Sequence, residues 1–334
     1  DGNGHTVFNL PQQPYKVRVD YLGQQFWSDL FTWEDKTILL PEGTALLHVT
    51  LAGQDILGVP VYVFTSAGTY LGLSSSTNTS GIAEFRLPAG AYKFRADYQG
   101  VQHWATTVLN PDVVNTIELS MGGGQFILTI DQGPEPLAGA RTHVFSPNGS
   151  YLGMSSTSNA NGQVSFTLSS GSFKFRVDYL GYQFWSEVFP VPVTLSGALA
   201  IPHQPITVTI ERTYQGAQPI AGVNVYLFTP AGSYLGKVQK TNSSGQVTFI
   251  LPNKAYKTRA DYLGNQFWSE TFKLQNTAVS IPHGAAQITA RKSGNPVSGV
   301  PVYLFGESGS YLGLRGTTSG IGTAEFVLPN RSFK

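Results

Sequence analysis

The sequence predicts an all-β chain, a tandem array of seven-stranded β-sandwiches of about 80 residues each. Three observations carry this. The stretch Tyr256-Lys-Thr-Arg-Ala-Asp-Tyr-Leu-Gly-Asn-Gln-Phe-Trp-Ser-Glu270 recurs at Tyr15–Asp29, at Phe173–Glu187 and, more loosely, at Tyr92–Thr106, and Phe333-Lys334 begins it again. Its Asp falls at 20, 97, 178 and 261, and a separate Tyr-Leu-Gly starts at 70, 151, 234 and 311, so both markers return every 77–83 residues. Between them lie short apolar runs punctuated by Gly, Pro and Asn, with no helical periodicity.

The strands, lettered A to G within a unit, are placed most clearly in the second full copy. Gln125–Asp131 reads as strand A and Ala140–Phe145 as B, joined by a Gly- and Pro-bearing loop. Pro147-Asn-Gly149 turns B into C, Tyr151–Ser155, and Asn159-Ala-Asn-Gly162 turns C into D, Gln163–Leu168. Strand E is Ser172–Tyr179, F is Gln183–Phe189 and G is Val193–Ile201. Each C–D turn carries glycine at its fourth position, Gly4, Gly81, Gly162, Gly245 and Gly322, and positive φ is expected at Gly81, Gly162 and Gly245.

The unit boundaries follow as 1–42 (strands D to G), full units at 43–123, 124–203 and 204–283, and 284–334 (strands A to E). Residues 1–16 align onto Ser319–Lys334 without a gap, so the chain reads as opening at strand D and closing at strand E. Either it belongs to a longer array or copies complete one another, and the duplicated strand D favours the array. Ile201-Pro-His-Gln-Pro205 and Ile281-Pro-His-Gly284 read as minimal, stiff linkers.

Within the signature, Tyr256, Thr258 and Ala260 share one strand face, and Lys257, Arg259 and Asp261 the other. Same-face neighbours predict structural ion pairs at Arg18/Asp20, Arg95/Asp97, Arg176/Asp178 and Arg259/Asp261. Leu263-Gly-Asn-Gln266 reads as the hairpin turn into strand F.

Charged residues are 12% of the chain, about half the usual share, and the net charge is +1. Such a balance gives no field for nucleic acid or an anionic membrane. The absence of cysteine excludes disulfides and thiol chemistry, and no apolar run of membrane-spanning length occurs. Polarity comes from Ser, Thr, Asn and Gln, a surface suited to packing against copies of itself or to carrying sugar.

Gly58-Val-Pro-Val-Tyr-Val-Phe64, Thr77-Asn-Thr-Ser-Gly81 and Phe85-Arg-Leu-Pro-Ala-Gly-Ala-Tyr92 together resemble the immunoglobulin-like, prealbumin-like sandwiches of bacterial surface proteins. The families are the collagen-adhesin B-type domain and the carboxypeptidase regulatory-like domain. The resemblance implies a secreted or surface-displayed stalk, fibre or adhesin. In many collagen-adhesin B-type domains an early-strand lysine is bonded to a last-strand asparagine. Here the shared lysines (Lys16, Lys93, Lys174, Lys257, Lys334) lie on strand E, no Asn recurs in strand G, and Glu84 and Glu325 lack counterparts between, so no such staple is expected.

No histidine among His5, His48, His103, His143, His203 and His283 has metal or nucleophile spacing; His203 and His283 read as junction residues. Asp1-Gly-Asn-Gly4 resembles the opening of a calcium loop, with Asn159-Ala-Asn-Gly162 its echo, but other copies lack the carboxylates, so Asn capping its own turn is preferred. Trp27, Trp104, Trp185 and Trp268, with Phe26, Phe184 and Phe267, are read as interface residues, a sugar-stacking platform being the alternative. Asn78, Asn148, Asn242 and Asn330 sit in glycosylation sequons in turns. The reading is a non-enzymatic extracellular or cell-surface structural protein, a fibre or stalk needing no cofactor or metal, whose partners are copies of itself. The alternative is an adhesin array presenting Trp-bearing strands to polysaccharide.

Overall fold

The computed structural model describes residues 2–334 and is all-β. The sandwich beginning at Glu42 shows why. Strand A, Glu42–Leu51, alternates buried and half-buried positions along its length, burying Ala45, Leu47, Val49 and Leu51. It takes strand D, Ile82–Pro88, on one side and strand G, Val114–Ser120, on the other. The D pairing is antiparallel and the G pairing parallel. The second sheet is antiparallel, in the order C (Tyr70–Ser76), B (Pro60–Thr65), E (Gly90–Tyr98), F (Val101–Leu109). Val61, Val63, Tyr92, Phe94 and Ala96 face strand A across one apolar core. Burial of each larger side chain contributes about 1.5–3 kcal/mol.

The next copy runs A Gly124–Asp131, B Arg141–Phe145, C Tyr151–Thr157, D Gln163–Leu168, E Gly171–Tyr179, F Tyr182–Val191 and G Ser196–Ala200, with the same two strand orders. Its core is aromatic: Phe126 stacks on Phe175 at 4.9 Å, and Phe166 lies 5.8 Å from the same ring. The copy after it has A His203–Thr213, B Asn224–Phe228, C Tyr234–Lys240, D Gln246–Pro252, E Ala255–Tyr262 and F Asn265–Trp268, resumed at Phe272–Lys273. Strand F breaks at Ser269, whose Oγ accepts the Thr258 N–H at 2.9 Å.

Two expectations are corrected. The linker Ile281-Pro-His-Gly284 lies inside one unbroken strand, Thr277–Thr289. Its first half pairs parallel with strand A of its own sandwich, and its second half, from His283, pairs with Thr323–Pro329 of the next. At the preceding junction His203 already opens a strand. Sheet continuity, rather than a spacer, makes the joint at Ile281–Gly284. Second, residues 5–11 form no strand and Phe8 stays exposed. Strand D pairs on strand A in each sandwich, and residues 2–41 supply no strand A; there only the E–F hairpin Arg18–Tyr21/Gln24–Trp27 is formed.

The chain divides into two compact bodies. One holds residues up to Thr129 with Ala138–Val177 and Trp185–Leu199. The other holds Ile130–Leu137, Asp178–Phe184 and Ala200–Lys334, so the E–F hairpin tip Asp178–Phe184 groups with the sandwich that follows it.

Candidate functional site

That grouping locates the recurring site. Each signature hairpin closes in a two-residue turn, Leu22-Gly23, Gln99-Gly100, Leu180-Gly181 or Leu263-Gly264, with both residues at positive φ: +45/+78, +50/+72, +45/+75 and +45/+74. This is the twist-matched turn of tight hairpins. Glycine takes it freely, whereas Leu or Gln there costs about 1 kcal/mol or more. The conformation persists because the tip is held from outside.

What holds it is the next sandwich. In the first body, Leu22 packs against the core of the sandwich beginning at Glu42, and Gln24 Nε2 donates to the Ala91 carbonyl at 3.3 Å. A Cβ on Gly23 would stand 2.5 Å from the Thr65 methyl, so the fit leaves no room for a side chain. Also in that body, Gln99 Nε2 donates to Thr167 O at 2.9 Å while its Oε1 accepts the Ser169 N–H at 2.8 Å. In the second body Leu180 and Tyr182 pack on the core around Tyr256, and the Tyr182 hydroxyl donates to Ala255 O. Lys254 Nζ lies over the Tyr182 and Phe184 rings, and Arg331 lies 5.1 Å over Phe267.

The receiving surface is the other Tyr-Leu-Gly marker. A Cβ on Gly100 would meet Leu152, one on Gly181 would meet Leu235, and one on Gly264 would meet Leu312, while Gly23 faces Leu71. The two markers are therefore plug and receptor. Junction histidines close the seam: His203 Nδ1 donates to Ile201 O at 2.6 Å beside Tyr179, and His283 Nδ1 to Ile281 O at 2.8 Å beside Tyr262. Burial holds the His203 pKa below its ordinary value, consistent with a neutral ring.

Within each Phe-Trp pair the two rings diverge. Phe267 is buried, and Phe26 and Phe184 are half-buried. The tryptophans point to the outer sheet face at 58, 46, 39 and 45% exposure for Trp27, Trp104, Trp185 and Trp268. Trp104, Trp185 and Trp268 lie 4.8–5.0 Å from Phe64, Phe145 and Phe228 of their own sandwiches. Arg95 and Arg259 sit over those aromatic groups and hold Asp97 and Asp261 at 2.8 Å, as Arg18 holds Asp20. Arg176 and Asp178 occupy the same strand positions.

The turn glycines Gly4, Gly81, Gly162, Gly245 and Gly322 have φ between +68° and +78°. Beside three of them, Asn78, Asn159 and Asn242 each accept two backbone N–H groups through Oδ1 at 2.9–3.1 Å. An oxygen so engaged does not face a cation. Asp1, the carboxylate of the first calcium-like segment, lies outside the described residues. Among the described residues no group of three His, Cys, Asp or Glu is placed to hold a metal. The sequons Asn78, Asn148, Asn242 and Asn330 are all exposed. Sequence reading missed a recurring hydroxyl just before the turn: Thr241 Oγ1 accepts Val223 N–H at 2.9 Å and donates to Ile220 O at 2.8 Å, and Thr318 does the same with Val300 and Val297. Its signal was available, a Ser or Thr four residues before every turn glycine from Gly81 onward.

No family model matches the chain, and no curated protein does. Among solved structures it is similar to the TIE protein of Bacillus anthracis at 15% identity and a TM-score of 0.24, over 81% of this chain and 57% of that one, under two thirds of its length. It is similar to the minor pilin GBS52 of Streptococcus agalactiae at 14% and 0.30, over 48% of this chain and 94% of that one. Two B repeat units of the collagen binding protein of Staphylococcus aureus match at 14% and 0.19, over 87% and 89%.

Proposed function

We propose that this chain is a non-enzymatic extracellular structural protein, a fibre or stalk of tandem β-sandwich repeats with full units at 43–123, 124–203 and 204–283. The observation that carries the reading is the seated hairpin tip: every copy of the signature spends its turn on the following sandwich. A unit that grips its successor through a seated hairpin tip, and at Ile281–Gly284 also through an unbroken strand, is built to transmit position along a chain. A near-neutral Ser/Thr-rich surface supports side-by-side association of copies, and the cell surface is where such a stalk acts. Electron microscopy of the whole chain tests this. Stiff rods of constant width are expected, loosening into jointed beads when Gln99, Leu180 and Leu263 are all replaced by Asp. Independently tumbling units with the native tips in place would overturn the proposal.

A further inference from the structure

We propose that the outer face of strands C, B, E and F is a carbohydrate-binding face that takes neutral polysaccharide. In the sandwich beginning at Glu42, Tyr70, Phe64, Tyr62, Arg95 and Trp104 form one aromatic row across the sheet. Phe64 lies 5.3 Å from Tyr70 and 5.0 Å from Trp104, with rings tilted by 48° and 56°. The guanidinium of Arg95 sits 4.8 Å over Tyr62 and 5.8 Å from Trp104. In the second body, Tyr234, Phe228, Tyr226, Arg259 and Trp268 repeat the row at 5.4, 4.8, 4.8 and 5.9 Å for the corresponding contacts. Around the first row the strand register places Ser74 opposite Tyr62, Gln102 opposite Asp97 and Thr106 opposite Lys93.

Sugar rings have an apolar C–H side and a rim of hydroxyls, and this face offers both matches. Half-exposed Trp and Tyr rings supply the stacking surface. Arg, Asp, Gln and Ser supply donors and acceptors that suit hydroxyl pairs. Charge selects the class: Asp97 and Asp261 neutralise the central arginines at 2.8 Å, which leaves one lysine per strand E, Lys93 or Lys257, as its net charge on this face, too little for an acidic polymer to gain much. One row is sized for a few sugar rings: two half-exposed rings and a partly covered third present roughly 300 Å², counting about 150–250 Å² per whole ring, whereas a second copy of the chain, covering about 800 Å² per side, would have to span several rows at once. The hairpin tips lie outside this row, so the inference stands apart from how the units are joined.

Affinity electrophoresis of the whole chain through gels holding hydroxyethyl cellulose, xylan, dextran or mixed-linkage β-glucan tests it, with alginate as the acidic control. Retardation by at least one neutral polymer, insensitive to salt, is expected. The triple variant Trp104→Ala, Trp185→Ala, Trp268→Ala is expected to weaken it at least about tenfold, since stacking on each ring contributes to the same contact. Should that variant unfold, the Trp→Phe triple, which keeps smaller rings, is expected to bind more weakly than the native chain with its circular dichroism unchanged. Absence of retardation by all the neutral polymers overturns the proposal. So does equal retardation of a folded Trp variant, salt-sensitive binding to alginate alone, or Trp-dependent self-association in place of glycan binding.

Discussion

Replacing Gln99 by Ala measures how firmly one unit grips the next. Gln99 projects from the hairpin tip and satisfies two backbone groups of the following sandwich, the Thr167 carbonyl at 2.9 Å and the Ser169 N–H at 2.8 Å. Ser169 is fully buried, so water does not replace the lost partner while the tip stays seated. Two hydrogen bonds of about 0.5–1.5 kcal/mol net, with an added penalty for the stranded donor, put the loss at about 2–3 kcal/mol. Native-state hydrogen exchange reads it directly: protection of the Ser169 amide should fall about 30- to 150-fold, at about 1.4 kcal/mol per decade. Gln99→Gly separates the backbone from the side chain. At φ +50° glycine relieves about 1 kcal/mol of strain, so its protection should recover part of that loss. Ser169 protection within about threefold of native in Gln99→Ala would refute the reasoning, since a shift under about 0.7 kcal/mol is too small for these bonds.

Further outcomes are specific to other sites. Gly245→Val combines φ +71° with a Cβ placed 2.5 Å from Ile210 O, and should cost at least about 2 kcal/mol in urea denaturation. Gly149→Ala, at φ +86° with open space around it, should cost only about 1 kcal/mol in the same assay. Asp261→Asn should change stability by no more than about 1 kcal/mol, because the Arg259–Asp261 pair is partly solvated; a loss several times larger in thermal denaturation would contradict that placement. His48 bridges Asp55 and Glu118, at 2.8 Å each, and both carboxylates raise its pKa, Asp55 first. A raised folded-state pKa means that the bridge stabilises fully below the ordinary histidine value and fades as pH rises through the folded one. Melting of the native chain should therefore show a loss across that interval which His48→Gln abolishes.

Much of the sandwich was legible because alternation and Gly/Asn punctuation are local. Strand B could be read from Val223 to Phe228 without knowing its partners, and Asn242 marks its turn through contacts two and four residues away. The junctions were not legible for the opposite reason. Pro282 and Gly284 look like breakers, yet they pair with Thr213 and Leu328, a choice made by strands remote in sequence. The tip is a similar case. Leu180 is a poor residue for a tight turn on its own terms, and only the core beyond it, around Tyr256, explains why it is there. The Phe-Trp pair divides in the same way, Phe267 joining the buried core while Trp268 stands half-exposed on the outer sheet face.

The parallel pairing of strands A and G has a mechanical consequence. In the sandwich beginning at His203, Val208–Thr213 lies in register with Thr277–Pro282. The backbone enters at the start of the first strand and leaves at the end of the second. Tension applied between these points drags two neighbours past each other along their own axes. Every rung of that ladder is loaded at once, where a hairpin pulled from its open end would peel one bond at a time. The same arrangement joins Thr44–Thr50 to Val114–Ser120. Because Thr277–Thr289 runs on without a break, load leaving the ladder of Val208–Thr213 and Thr277–Pro282 enters the following sandwich through a single extended backbone.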